Sequence, residues 1–294
     1  MRFLITLGSL LLVAVIPSCA QEFEQRSFVV EVQGSGPPMI LVPGLTSPGQ
    51  VWARTVEHYK DRYTLHVVTL AGFAGIPPIP EPSTTRVRDD LIHYIDSHKL
   101  RRVIVVGHSL GGFIAYRVAA AAPDRVAAVV SVEGATYLPA LFDPGATPDV
   151  WTPRAEAMRR SISAATPESF RQQSDAQLRV QVSDSSALAW LAPVAAQSDP
   201  QTTAQFMYEL YTTDIRQEVQ KITAPVLLVV GTAAVPPVWR DEYLAAARKQ
   251  VETIPKVEMQ EVPGARHFVQ LDDPATLHKI MDDFLARAIT ERNR

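Results

Sequence analysis

The chain has 294 residues, of which 47% are hydrophobic, so it is long enough to bury a substantial core. Its formal net charge is −3 and its basic residues form no blocks, which argues against a nucleic-acid partner because phosphate binding needs clustered Lys and Arg. Cys19 is the only cysteine, which excludes an intramolecular disulfide, a cysteine-based metal site and a catalytic cysteine.

Residues 1–20 have the pattern of a secretory signal peptide. Arg2 precedes an apolar segment too short to span a bilayer comfortably, and small residues flank Cys19 at a cleavage site before Gln21. A lipoprotein signal, with a lipid anchor on Cys19, is the alternative. We therefore expect an exported protein, periplasmic or secreted, with no stable membrane span.

Apolar, β-branched runs alternate with amphipathic segments along most of the chain. This alternation predicts an α/β fold, with a doubly wound, mostly parallel sheet covered on both faces. The predicted strands are 27–33, 39–42, 64–70, 103–106, 125–132, 225–231 and 256–262. The predicted helices are 50–59, 83–98, an Ala-rich segment after residue 109, 237–249 and 274–290.

The alternation stops between residues 135 and 215, where prolines and small polar residues replace strand-like runs. We predict three or four short helices there, forming a cap inserted into a core made of 21–134 and 216–294. Met207 and Tyr211 are four residues apart and share one helix face. They are the predicted substrate-binding residues of the cap.

A G-x-S-x-G motif, residues 107–111, lies between a β-branched run and an Ala-rich helical segment. In this context the serine occupies a strained turn that exposes its Oγ, so Ser109 is the predicted nucleophile. The helix starts just after it, and the free N–H of Leu110 would face a developing oxyanion. His108 is expected to face away from the pocket and to support the turn.

Taken together, these segments resemble the α/β-hydrolase family with a helical cap, over residues 27–290. Residues 43–45, Pro-Gly-Leu, stand where the family's oxyanion loop usually reads His-Gly. Residues 71–75 resemble a Gly-rich turn of the family, and 264–268 resemble the loop that carries its histidine. The resemblance implies hydrolysis without a metal or an organic cofactor, and a second oxyanion N–H from Leu45.

A serine hydroxyl needs a general base, and that base needs an acidic partner to orient it. His267, after the last predicted strand, is the predicted base. The family's usual acid, in a Gly-x-x-Asp turn, is missing because residues 231–234 read Gly-Thr-Ala-Ala. Some family members carry the acid after the preceding strand instead, where this chain has Glu133. Glu133 is the predicted acid, and Asp214, where the cap returns, is the alternative.

Two further aspartates, Asp272 and Asp273, follow His267 too closely to serve as its partner. We expect both of them to cap the final helix, which begins directly after them.

The predicted function is an exported serine hydrolase that cleaves small carboxylic esters or related acyl compounds through an acyl-enzyme, with a small-molecule acyl substrate as its partner. A lactonase or a C–C hydrolase could use the same triad. An aminopeptidase would also need carboxylates for the substrate amine, and the cap offers Glu156, Glu168, Asp175 and Asp184. A non-catalytic binding protein on the same fold is the alternative from a different class, and only the missing Gly-x-x-Asp turn supports it.

Overall fold

The computed structural model describes residues 26–292, and the predicted signal peptide with Cys19 lies outside them. The strands are β1 (Phe28–Gly34), β2 (Pro38–Val42), β3 (Thr64–Leu70), β4 (Val103–His108), β5 (Val126–Val132), β6 (Val226–Gly231) and β7 (Val257–Val262). They form one sheet in the order β1-β3-β2-β4-β5-β6-β7. β1 is antiparallel to β3 and the other neighbouring pairs are parallel, so the predicted fold class is confirmed.

The helices flank this sheet and also fill the segment between β5 and β6. They are α1 (Ala53–Tyr59), α2 (Thr84–Ser97), α3 (Leu110–Ala121), α4 (Pro148–Ser163), α5 (Pro167–Gln181), α6 (Ser185–Ala195), α7 (Pro200–Thr212), α8 (Arg240–Val251), α9 (Val269–Asp272) and α10 (Pro274–Arg292). The predicted helix 237–249 is in fact a 3-10 turn at Pro237–Trp239 followed by α8.

The strands at the centre of the sheet are buried on both faces. Along β4, Val103 and Val105 contact the core layer that contains α2, α3 and α8. Ile104 and Val106 contact the opposite layer, which contains α1 and α10. Successive side chains of a strand point to opposite faces, so a strand covered on both sides reads as a continuous apolar run.

Prolines and polar caps explain why the segment between β5 and β6 forms separate short helices. Pro148, Pro167 and Pro200 each occupy the first turn of a helix, where the missing N–H removes no intrahelical bond. Asp184 and Asp199 accept hydrogen bonds from the first backbone N–H groups of α6 and α7. The four helices α4–α7 are called the cap helices below.

A hydrogen-bonded carboxylate ties the cap helices to the loop between β7 and α9. Asp272 accepts from the backbone N–H of Ser183 at 2.8 Å and of Arg266 at 2.9 Å. The expectation that Asp272 caps the final helix is therefore wrong, because its oxygens bind N–H groups elsewhere. Asp273 does cap that helix, accepting from the backbone N–H of Thr276 at 3.1 Å.

A buried histidine links α1 to α10. The ring of His278 stacks on His58 with centroids 4.4 Å apart, and its Nε2 lies 3.2 Å from Thr55 Oγ1. Burial, together with the neighbouring His58 and Arg62, lowers the pKa of His278 from 6.5 to about 4, although Asp282 opposes that shift. His278 is therefore neutral in the folded protein at neutral pH.

We expect His278→Gln to flatten the pH dependence of stability between about pH 6.5 and about pH 4. In that window His278 is protonated in the unfolded chain but neutral in the folded chain, so the free energy of unfolding falls as the pH falls. The loss is at most about 3–4 kcal/mol, since the pKa falls from 6.5 to about 4 and one pKa unit corresponds to about 1.4 kcal/mol. Denaturant unfolding across this range measures it, with His93→Gln at an exposed position as control. Equal pH slopes for wild type and His278→Gln would contradict the prediction.

Candidate active site

Ser109 is the single residue between β4 and α3, and its backbone is strained. Its φ of 52° and ψ of −114° lie outside the regions that non-glycine residues favour. The turn is tight enough that a Cβ on Gly107 would lie 2.1 Å from the carbonyl oxygen of Gly111, and a Cβ on Gly111 2.2 Å from that of Val42. Both glycines are therefore required for the turn that presents Ser109.

His267 and Glu133 meet although they are 134 positions apart in the chain. His267 lies in the loop after β7, and Glu133 directly follows β5. His267 Nδ1 is 2.9 Å from Glu133 Oε2, and Glu133 Oε1 accepts the N–H of Gly231 at 2.6 Å. A carboxylate can only accept, so Nδ1 carries the hydrogen and Nε2 is the free base nitrogen of the neutral ring.

The structure separates the alternative acid from His267. Asp214 forms an ion pair with Arg216, with 2.6 Å between Oδ2 and Nη2, and it does not line the cavity that contains His267. Glu133 has only 5% of its side chain exposed, so the carboxylate beside His267 is shielded from water.

The side chain of His108 is buried, with only 1% of the residue exposed. It lines the cavity beside Ser109, with its ring centroid 4.9 Å from that of His267. Its Nε2 donates to the carbonyl oxygen of His267 at 2.9 Å, because a carbonyl can only accept. Complete burial and the adjacent His267 hold the pKa of His108 well below its usual range. His108 thus fixes the loop of His267 as a neutral hydrogen-bond donor.

A cavity of about 470 Å³ lies between the carboxyl edge of the sheet and the cap helices. It brings together the residues predicted for the site from sequence, which are Leu45, Leu110, Ser109, Glu133, Met207, Tyr211 and His267. Leu45 and Leu110 belong to the turn after β2 and to the first turn of α3. In the described part of the chain, their backbone N–H groups have no acceptor.

One wall of this cavity was not predicted from the sequence. Helix α5 presents Gln173, Ser174, Gln177 and Gln181 to it, at the three- and four-residue spacing of one helix face. That spacing was a signal in the sequence, but nothing there showed which face of α5 meets the cavity. Tyr243 of α8 was also missed; burial and the nearby charge of Glu133 raise the pKa of its hydroxyl.

Another part of the lining is apolar. It is formed by Leu138, Leu141, Met158, Ile162, Met207, Leu210 and Tyr211. Over residues 26–292, no Lys or Arg lines the cavity, and Glu133 is its one carboxylate. The same residues contain no cluster of three or more His, Cys, Asp or Glu side chains that could hold a metal ion. None of the helices described is long and apolar enough to cross a membrane.

Comparison with known proteins agrees with this geometry. A sequence model of the alpha/beta hydrolase family matches residues 39–280. The chain belongs to this family.

Among curated proteins, this alpha/beta hydrolase is 30% identical to the pimeloyl-[acyl-carrier protein] methyl ester esterase of Nitrosomonas europaea, over 76% of this chain and 89% of the relative. It is 26% identical to the 2-(acetamidomethylene)succinate hydrolase of Mesorhizobium japonicum, over 87% of this chain and 90% of the relative. Among solved structures, the enol-lactonase from Burkholderia xenovorans LB400 has a TM-score of 0.71 at 22% identity, covering 88% of this chain and 96% of that one. The Nitrosomonas europaea relative is named for an ester and the Mesorhizobium japonicum relative for a hydrolase, and the likeness to the enol-lactonase shows the fold.

Proposed function

We propose that the protein is a serine hydrolase that cleaves small carboxylic esters through an acyl-enzyme at Ser109. One observation carries the proposal: Ser109, on a strained strand-to-helix turn, shares a cavity with His267, and Glu133 binds His267 Nδ1 at 2.9 Å. Nucleophile, base and orienting acid are thus available in one place.

In the proposed reaction, Ser109 Oγ attacks the ester carbonyl while His267 Nε2 takes the hydroxyl proton. The N–H groups of Leu45 and Leu110 stabilise the negative charge on the carbonyl oxygen. His267 then gives the proton to the leaving alcohol, and the acyl group stays on Ser109. Water, deprotonated by His267, attacks the acyl-enzyme and releases the acid, which restores the serine hydroxyl.

The sequence relatives favour an ester substrate, because the Nitrosomonas europaea protein is named for a methyl ester. The structure disfavours the aminopeptidase alternative. The cap carboxylates that could bind a substrate amine do not line the cavity, and each faces an arginine, in the pairs Glu156–Arg159, Glu168–Arg171, Asp175–Arg179 and Asp184–Arg54.

A fluorophosphonate probe tests the proposal directly, because it reacts covalently only with an activated serine. We expect one adduct on wild type, at Ser109 by peptide mapping, and none on Ser109→Ala. Ser174 is an internal control, since it lines the same cavity on α5 and should stay unmodified. A folded wild-type protein without an adduct would contradict the proposal and favour a non-catalytic binding protein.

Export is also proposed, from the signal-peptide pattern of residues 1–20. We expect the mature protein, expressed with its leader in a bacterial host, to begin at Gln21. Mass spectrometry of the purified N-terminus measures this. An intact Met1 would contradict export, and a diacylglyceryl group on Cys19 would identify the lipoprotein form instead.

A further inference from the structure

A row of amide side chains on α5 faces the cavity, and no step of the proposed reaction uses it. Gln173, Gln177 and Gln181 succeed one another at four-residue intervals along one helix face. Among residues 26–292, their side-chain amides have no hydrogen-bond partner. Gln172 on the same helix differs, because it does not line the cavity and its amide donates to Glu168 Oε1 at 2.5 Å. Gln173 and Gln177 are exposed to solvent and Gln181 is half-buried, so a guest that binds these amides replaces water on them.

The row starts beside His267. The backbone N–H of Phe268 donates to the carbonyl oxygen of Gln181 at 3.2 Å, and Arg266 Nη1 donates to that of Arg179 at 3.0 Å. The carboxyl end of α5 is therefore bound to the loop that carries His267. From Gln181, successive amides follow at about 6 Å along the helix axis, since a helix rises about 1.5 Å per residue.

The position of this row assigns it to one half of the substrate. His267 hands its proton to the leaving oxygen, so the alcohol half of an ester lies on the His267 side of the scissile bond. The acyl half then faces the apolar wall, which includes Leu138, Met207 and Tyr211. A group carried a few bonds beyond the ester oxygen reaches Gln181 first and Gln177 next.

The charges around the cavity disfavour an ester whose alcohol carries an anionic group. A carboxylate or phosphate on the alcohol would meet no cation in the cavity, because no Lys or Arg of the described residues lines it. A neutral amide loses less solvation free energy, and the glutamine amides offer it both donors and acceptors. The row of glutamine amides thus fits an uncharged group that can both donate and accept hydrogen bonds.

We propose that Gln177 and Gln181 make this hydrolase selective for uncharged esters whose alcohol carries an amide. The inference rests on the proposed function, because it uses the direction in which His267 delivers its proton. It adds the chemical class of the leaving group and two specificity-determining residues, which contact the alcohol and not the reacting atoms.

Three butyrate esters with alcohols of matched length test the inference: 2-acetamidoethyl, n-pentyl and 4-carboxybutyl butyrate. Titration of the released acid measures kcat/KM. We expect wild type to prefer the amide ester by at least about 5-fold over the pentyl ester and about 10-fold over the carboxylate ester, as one or two neutral hydrogen bonds allow. The double variant Gln177→Leu/Gln181→Leu should lose the preference over the pentyl ester, which is read as the ratio of kcat/KM for the two esters. Gln172→Leu, on the outer face of α5, should retain the wild-type preference.

An unchanged amide preference in the double variant overturns the inference, and so does equal hydrolysis of the carboxylate ester by wild type. If the leucine variant melts below wild type, Gln177→Met/Gln181→Met keeps the side-chain length and removes the same amides. The two proposals fail differently. If hydrolysis depends on Ser109 but shows no preference for the amide ester, only the inference is contradicted. If wild type shows neither hydrolysis nor a probe adduct at Ser109, the proposed function is contradicted as well.

Discussion

Ser109→Ala is expected to lower kcat for p-nitrophenyl butyrate by at least about 10³-fold, because the variant has no hydroxyl to form the acyl-enzyme. His267, Glu133 and the oxyanion N–H groups remain, so the residual rate reflects binding and oxyanion stabilisation without a nucleophile. Stopped-flow and steady-state release of p-nitrophenol measure the loss. Wild type should also show a burst if deacylation is slow, and the variant should show none.

Alanine has the smaller side chain but the same strained backbone to adopt, so folding must be checked. Thermal unfolding of Ser109→Ala should stay close to wild type. Ser161→Ala removes an exposed hydroxyl from α4 and should keep full activity. If Ser109→Ala folds and retains more than about a tenth of the wild-type kcat, Ser109 is not the nucleophile.

Glu133→Gln is expected to lower kcat by about 10²- to 10⁴-fold with little change in KM. The glutamine oxygen would accept the N–H of Gly231, which Glu133 Oε1 accepts now at 2.6 Å. Its NH₂ group would then face His267 Nδ1, which must become an acceptor, so the hydrogen moves to Nε2. With Nε2 protonated, the imidazole cannot take the proton of Ser109. Steady-state kinetics on the same ester measure the effect.

The matched control for this charge removal is Asp214→Asn, the other carboxylate proposed for the role. Asp214 is bound to Arg216 away from the cavity, so the variant should keep wild-type kcat. Loss of activity in Asp214→Asn with full activity in Glu133→Gln would reverse the assignment. Near-wild-type activity in both would leave His267 and Ser109 acting as a dyad.

The strand-to-helix turn at Ser109 could be predicted from a short stretch because its determinants are local. The β-branched run, the glycines and the helix formers around Ser109 lie within about twenty residues, and the strain follows from the sharp strand-to-helix turn. His108 lies in the same stretch, but the partner of its side chain could not be predicted from that stretch. Its direction depends on a hydrogen bond to the carbonyl of His267, which comes from the far end of the chain.

A polar residue near a helix end can likewise have partners that its local sequence does not indicate. Asp272 precedes a helix and has the residue type of a cap, which local preference favours. The structure instead uses it to bind the backbone of Ser183, Asp184 and Arg266. The donors of Ser183 and Asp184 face Asp272 only after the cap helices pack on the sheet, so no pattern around residue 272 indicates them.

The sequence by itself determined the alternation of strands and helices, the inserted cap segment and the elbow at Ser109, since each depends on neighbours within one or two elements. Only the tertiary structure decided which carboxylate meets His267 and which face of α5 lines the cavity. Parallel strands align their carboxyl ends at one edge, and this alignment brings the residues after β5 and β7 together across 134 positions. Which face of a cap helix points inward depends on the packing of all four cap helices, and that packing has no local signature.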